Sequence, residues 1–127
     1  MVRRRSQPGL RSGRCCRECS ARTSLRRKLD LVGLLAPFEP HVYSADDVTH
    51  AKPAPDLFLH AAKTMGTEPI NCVVIEDTPT GTKAGVAAGM KVFGYAGAPH
   101  SDAAGLAAHG ATVFWAMHEL PALLAAE

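Results

Sequence analysis

A short apolar run, Cys72-Val73-Val74-Ile75, ends in the acidic pair Glu76-Asp77 and constrains the fold more than any other feature of the chain. A run of valine and isoleucine this short is typical of a buried strand in a parallel sheet. Residues 78–81 then turn the chain into a helix rich in small residues, which we expect over residues 82–90. Carboxylates at the carboxyl end of such a strand lie where open α/β sheets bind their ligands. The sequence therefore predicts a ligand site at Glu76 and Asp77.

These two carboxylates suit a hard cation, because Mg²⁺ is usually bound by one or two carboxylates together with phosphate oxygens. Upstream, Lys52 lies between Ala51 and Pro53 in the loop Lys52-Pro-Ala-Pro-Asp56, whose prolines reduce the conformational freedom of the backbone. A lysine and a carboxylate pair together indicate phosphoryl chemistry. The simpler interpretations are a solvated surface lysine at position 52 and an Asp77 that only caps the next helix.

Strands and helices alternate along most of the chain. Short apolar strands are expected near residues 41–44, 72–76, 91–95 and 112–115, and helical patterns of about ten residues separate them. This alternation predicts βαβ units and a parallel sheet, which is an α/β fold. The helix that precedes the first of these strands is expected to begin at Ser24, whose hydroxyl can cap it.

Charge divides the chain unevenly. Residues 1–28 contain ten of the fourteen basic residues and one acid, Glu18, whereas residues 29–127 contain four lysines, no arginine and eleven acids. A segment with high positive charge and few apolar residues does not recover the entropy lost on ordering. We therefore expect residues 1–23 to be disordered, or translated from another reading frame, and residues 24–127 to form the folded part.

The basic segment also contains Cys15, Cys16 and Cys19, but no second cysteine or histidine pair completes a zinc site. We expect incidental thiols and, because no disulfide framework is evident, a cytoplasmic protein. No apolar stretch reaches the length of a membrane span, so we expect no membrane partner.

Nucleic-acid binding is an alternative function for the basic segment. Its arginines could form a tail that contacts phosphates: Arg3, Arg4, Arg5, Arg11 and Arg14. The segment lacks interleaved aromatic residues on which bases could stack, so a nucleic-acid partner is not expected.

Three segments occur in a characteristic order: Lys52-Pro-Ala-Pro-Asp56, then Val-Val-Ile-Glu76-Asp77-Thr-Pro-Thr-Gly81, then Ala-Gly-Val-Ala-Ala-Gly-Met-Lys-Val92. From about Ser24 to Trp115 the chain resembles the haloacid dehalogenase superfamily, in its branch of sugar-phosphate phosphatases and β-phosphoglucomutase-like enzymes. The resemblance implies a Rossmann-like core with a parallel sheet, and a Mg²⁺-dependent hydrolase that acts on small phosphate monoesters such as sugar phosphates.

The resemblance also implies roles for individual residues. Lys52 would be catalytic and phosphate-binding, because it neutralises charge on the phosphoryl group and the nucleophile. Glu76 and Asp77 would hold Mg²⁺, with Asp77 as the direct ligand. In this family the nucleophile is an aspartate of an Asp-x-Asp motif on the first strand, which forms an aspartyl phosphate, and a serine or threonine after the second strand binds phosphoryl oxygens.

The chain departs from this pattern at its amino end. It contains no Asp-x-Asp, and the nearest hydroxyl to the expected serine or threonine is Ser20, which is out of register. We therefore expect a truncated core that lacks the first strand, the nucleophile motif and the cap, with unpaired strand edges beside residues 41–44 and 72–76. Such a chain would be an inactive fragment of a phosphatase; the alternative is a non-catalytic module that binds phosphate or a metal ion.

Overall fold

The protein is described by a computed structural model that covers the backbone of residues 2–4, 14–18 and 22–126, and the side chains of residues 22–126. Its strands form a six-stranded sheet in the order β3-β2-β1-β4-β5-β6. The elements are β1 (Val2–Arg4), β2 (Arg14–Glu18), α1 (Arg22–Leu31), α2 (Leu35–Phe38), β3 (Val42–Ser44), α3 (Asp56–Thr64), β4 (Cys72–Glu76), α4 (Pro79–Ala87), β5 (Lys91–Tyr95), α5 (Ala103–Ala108), β6 (Thr112–Phe114) and α6 (Leu120–Ala125). The predicted α/β fold class is confirmed.

Five of the six strands run in the same direction. Strands β4, β5 and β6 pair in parallel, as do β2 and β3. Strand β1 is antiparallel to both of its neighbours, β2 and β4, so these two neighbours point the same way. The carboxyl ends of β2 to β6 therefore meet at one edge of the sheet.

The expected gap between β3 and β4 is not present. The basic segment supplies two strands that fill it, and the register places Val2 opposite Val74 and Arg4 opposite Cys72. The expectation of unpaired edges beside β3 and β4 was wrong, because ladder hydrogen bonds involve the backbone and do not require an apolar side chain. Residues 2–4 and 14–18 of the segment that we expected to be disordered form strands β1 and β2. The rest of residues 1–21 lies outside the described residues, and both its disorder and an origin in another reading frame stay predictions.

Strand β4 is buried along its whole length, and its side chains alternate between two apolar clusters. Cys72 and Val74 face the cluster formed with α3 and α4, which includes Leu57 and Phe58. Val73 and Ile75 face a second cluster, which contains Phe93 and Phe114 and contacts apolar residues of α6. Successive residues of a strand point to opposite faces, so a strand covered on both faces is apolar at every position.

Helix α1 begins two residues earlier than predicted, at Arg22, and Ser24 lies inside it. The Arg22 backbone N–H donates to Asp46 Oδ2 at 2.8 Å, and the Arg22 guanidinium forms an ion pair with Asp47. Asp46 and Asp47 follow β3, so a turn that is distant in the chain supplies a cap for the start of α1.

No helix within residues 22–126 is both long and apolar enough to cross a membrane.

Candidate functional site

Glu76 ends β4 at the edge where the parallel strands have their carboxyl ends, and α4 begins three residues later. The predicted helix over residues 82–90 lies instead at Pro79–Ala87, because Thr78 caps it: Thr78 Oγ1 accepts from the Gly81 N–H at 3.1 Å. Pro79 occupies the first helical position, where a missing N–H costs nothing. The strand-to-helix turn therefore fixes the backbone on both sides of Asp77.

Lys52 reaches this edge from the loop between β3 and α3. The Asp56 carboxylate closes the loop, since its Oδ2 accepts from the His50 backbone N–H at 3.2 Å and lies 2.9 Å from His50 Nδ1. The lysine stem packs inside the protein, with Nζ 5.3 Å from the centre of the Phe58 ring, and the side chain is only 9% exposed. Lys52 is therefore not a solvated surface lysine.

The Lys52 ammonium donates to Glu76 Oε1, and the Glu76 side chain is only 8% exposed. The other carboxylate oxygen, Oε2, accepts a long hydrogen bond of 3.5 Å from Thr78 Oγ1. Lys52 and Glu76 therefore lie together at this edge of the sheet, while their catalytic and metal-binding roles stay predictions. A buried charge needs a partner of opposite sign, and here each residue is that partner for the other.

Gly81 lies against the Glu76 carboxylate, a contact that the sequence did not reveal. A Cβ built at Gly81 would lie 2.2 Å from Glu76 Oε2 and 2.8 Å from Oε1, closer than any side-chain atom can approach. The available signal was its spacing of five residues from Glu76, across one strand-to-helix turn.

Asp77 is the carboxylate best suited to a metal ion. Its side chain is exposed, next to the paired Glu76. Among residues 22–126, no group of three or more histidine, cysteine or acidic side chains is arranged to hold a metal ion. Mg²⁺ commonly uses one or two carboxylates and completes its shell with water and phosphate oxygens. The residues present therefore fit a Mg²⁺ ion held by Asp77 with much of its shell supplied from outside the protein.

Ser20, the hydroxyl nearest to the expected phosphate-binding position, lies outside the described residues. Strand β1 occupies the place next to β4 but runs in the opposite direction, so it brings its amino end, at Val2, towards the edge that carries Glu76.

Residues 20–89 match the family of haloacid dehalogenase-like hydrolases, which is more than half of the chain. The chain belongs to this family. The fructose-1-phosphate phosphatase YqaB of Escherichia coli is 55% identical over 49 residues, which is 39% of this chain and 26% of that relative.

Two solved structures resemble the protein over most of its length. A conserved haloacid dehalogenase-like protein from Agrobacterium tumefaciens is 41% identical, with a TM-score of 0.86 over 93% of this chain and 56% of that chain. A family hydrolase from Deinococcus radiodurans, solved with bound phosphate and sodium, is also 41% identical, with a TM-score of 0.82 over 88% of this chain and 51% of that chain.

Among characterised relatives, the 6-phosphogluconate phosphatase of Escherichia coli is 32% identical over 77 residues. That alignment includes 61% of this chain but only 35% of the relative. The chain thus spans about half of the similar structures and about a third of this enzyme.

Proposed function

We propose that this chain is the carboxyl-terminal part of the core of a Mg²⁺-dependent phosphatase whose full-length form hydrolyses small phosphate monoesters, with sugar phosphates as the substrate class. We further propose that the chain as given does not turn over substrate. The relatives named above include a sugar-acid phosphatase and a structure with bound phosphate, which supports the substrate class. The absence of Asp-x-Asp from the sequence supports the lack of turnover.

One observation carries this proposal: a buried lysine is held against a carboxylate at the carboxyl end of β4. Lys52 would bind phosphoryl oxygens with its ammonium group, and its partner Glu76 would keep that group at the sheet edge. Asp77, exposed beside them, would hold the Mg²⁺ ion. When bound, this ion would neutralise charge on the phosphoryl oxygens. Positioning and electrostatic stabilisation of this kind are the main contributions of a protein to phosphoryl transfer.

The experiment is a chimaera. The part of the Agrobacterium structure that this chain does not match replaces residues 1–21, and by the family pattern it would supply a nucleophile strand and a cap. We expect the chimaera to hydrolyse p-nitrophenyl phosphate with Mg²⁺, and we expect Lys52→Ala or Asp77→Asn to reduce the rate by at least about 100-fold, as for the loss of one electrostatic group.

The matched control is Lys63→Ala, which removes an exposed lysine from α3. A folded chimaera whose activity is unchanged by Lys52→Ala and Asp77→Asn would contradict the assigned roles. For the chain as given, turnover that Asp77→Asn abolishes would contradict the proposed inactivity.

A non-catalytic module that binds phosphate or a metal ion is a second candidate. It is favoured by the same combination, an intact Lys52–Glu76 pair beside Asp77 in a sequence without Asp-x-Asp. Calorimetric titration of the chain with inorganic phosphate and Mg²⁺ separates the two. Tight binding by the chain as given, lost in Lys52→Ala, would favour the module. The cytoplasmic location and the absence of a nucleic-acid partner remain predictions from the sequence.

A further inference from the structure

We infer that Gly81 is a positioning residue for Lys52, acting through Glu76. The absence of a side chain at position 81 leaves the space in which the Glu76 carboxylate lies, and that carboxylate holds the Lys52 ammonium group. The value of this arrangement to phosphate binding rests on the proposed function. The positional claim does not, and it is tested separately below.

The backbone at Gly81 does not itself require glycine. Four other glycines of the described chain have positive φ, between 63° and 95°, whereas Gly81 has the ordinary geometry of a helix. Glycine is among the least favourable residues within a helix, because its backbone loses the most freedom on folding. The reason for glycine at this position is therefore steric, and the atoms in the way belong to Glu76: Oε2, Cδ and Oε1, at 2.2, 2.3 and 2.8 Å from an added Cβ.

Gly85, one turn further along α4, provides the contrast. A Cβ at Gly85 would lie 2.8 Å from Val92 Cγ2 and 3.3 Å from Val74 Cγ1, which are apolar atoms of the sheet. Gly85 thus permits close packing of helix on sheet, as glycines in α/β folds often do. Gly81 instead packs against a charged group. Two buried glycines of one helix therefore have different functions.

The consequence for Lys52 follows from the length of its side chain. An ammonium group on four methylenes moves readily to solvent unless a partner retains it. Glu76 is that partner. A Cβ atom at position 81 would push the Glu76 carboxylate away from α4. We expect the amine then to leave the site, while the rest of the fold stays in place.

The first test measures the acetylation rate of each lysine by mass spectrometry at a single pH, in the full chain. In the wild-type protein Lys52 should react at least about ten times more slowly than Lys63 and Lys83, which are exposed. Gly81→Ala should raise the Lys52 rate towards the exposed lysines and leave their rates unchanged. Gly85→Ala, the matched control, should lower the thermal midpoint without changing the Lys52 rate.

The inference is overturned if Lys52 stays protected in a folded Gly81→Ala protein, or if Gly85→Ala exposes Lys52 equally. An unfolded Gly81→Ala protein would give no protection data, so a second test uses the background Lys52→Met plus Glu76→Ala, which removes both charges and the obstructing carboxylate. In this background Gly81→Ala should raise the thermal midpoint or leave it unchanged, whereas it lowers the midpoint of the wild-type protein. A similar decrease in both backgrounds would overturn the role of Glu76.

Discussion

Strands β1 and β4 are neighbours in the sheet, yet they are built in different ways. Every residue of β4 is buried and its side chains enter two apolar clusters, and its carboxyl end carries Glu76 and Asp77. Strand β1 has three residues, two of them arginine, and pairs antiparallel to β4. One strand contributes a core and a site. The other contributes backbone hydrogen bonds and continuity of the sheet.

The direction of β1 determines which of its two ends lies at the edge of the sheet that carries Glu76. The register sets Arg4 opposite Cys72 and Val2 opposite Val74, so the carboxyl end of β1 lies at the edge away from Glu76. A nucleophile at the end of a parallel strand would lie beside Glu76. A reversed strand satisfies the ladder but places its last residue at the opposite edge. Sheet continuity and site assembly are therefore separate requirements.

Deletion of residues 1–21 tests whether β1 and β2 are needed for the sheet, and we expect it to have the largest effect on stability. Without β1 and β2, strand β4 loses its neighbour on one side and β3 loses its connection to the sheet. We expect the cooperative thermal transition to disappear and the chain to aggregate, because unpaired edges of β4 would associate between molecules. Circular dichroism during heating and size-exclusion chromatography measure both effects.

The matched control replaces Arg3, Arg4, Arg14 and Arg17 with lysine, which retains charge and backbone pairing. This variant should keep the wild-type thermal midpoint to within a few degrees, because the backbone hydrogen bonds of β1 and β2 do not depend on which basic side chain is present. A deletion variant that unfolds cooperatively at the wild-type midpoint would mean that β1 and β2 contribute nothing to the fold.

The same contrast explains which parts of the molecule were predictable from the sequence. Strand β4 and the lysine loop were predictable, because an apolar run between turn signals identifies a buried strand and charged groups at its end identify an edge. Strands β1 and β2 were not, because their side chains carry no apolar pattern and backbone pairing leaves no signature in residue type. The helix start at Arg22 was missed for a related reason, since its cap comes from Asp46, 24 residues away in the chain.

At the site, the sequence identified the charged residues but not their partners. The sequence places Glu76 and Asp77 side by side but does not show which of them is buried; Glu76 is the last residue of β4 and Asp77 follows it. One is buried against Lys52 and the other is exposed. The contact between Gly81 and Glu76 depends on the tight turn at Thr78, which fixes the approach of α4 to the end of β4. Such contacts require the geometry of the turn and not only its composition.

The second prediction concerns how much the buried side chains of α3, which pack on β4, contribute to the free energy of unfolding. Leu57 and Leu59 are two residues apart in α3, but Leu57 is 1% exposed and Leu59 is 39% exposed. Leu57→Ala should lower the free energy of unfolding by about 2–5 kcal/mol, through lost burial and the cavity that remains. Leu59→Ala, the matched control, should cost less than about 1 kcal/mol. Urea unfolding followed by circular dichroism measures both; equal effects would contradict the assignment of this core.

The smallest expected effect is at the start of α1, the helix that follows β2 in the chain. Asp46 Oδ2 accepts from the Arg22 backbone N–H, so this carboxylate caps a helix that follows the basic segment. Asp46→Ala should lower the free energy of unfolding by about 1 kcal/mol, the usual cost of losing a helix cap, whereas Asp46→Asn keeps an oxygen acceptor and should cost less.

The matched control is Asp30→Ala, an exposed acid near the other end of α1. The decisive measurement is amide hydrogen exchange at residues 22–25, which should accelerate in Asp46→Ala and not in Asp30→Ala. Unchanged exchange in Asp46→Ala would mean that the Asp46 carboxylate does not hold the start of the helix, and would leave the Arg22–Asp47 ion pair as the contact from this turn.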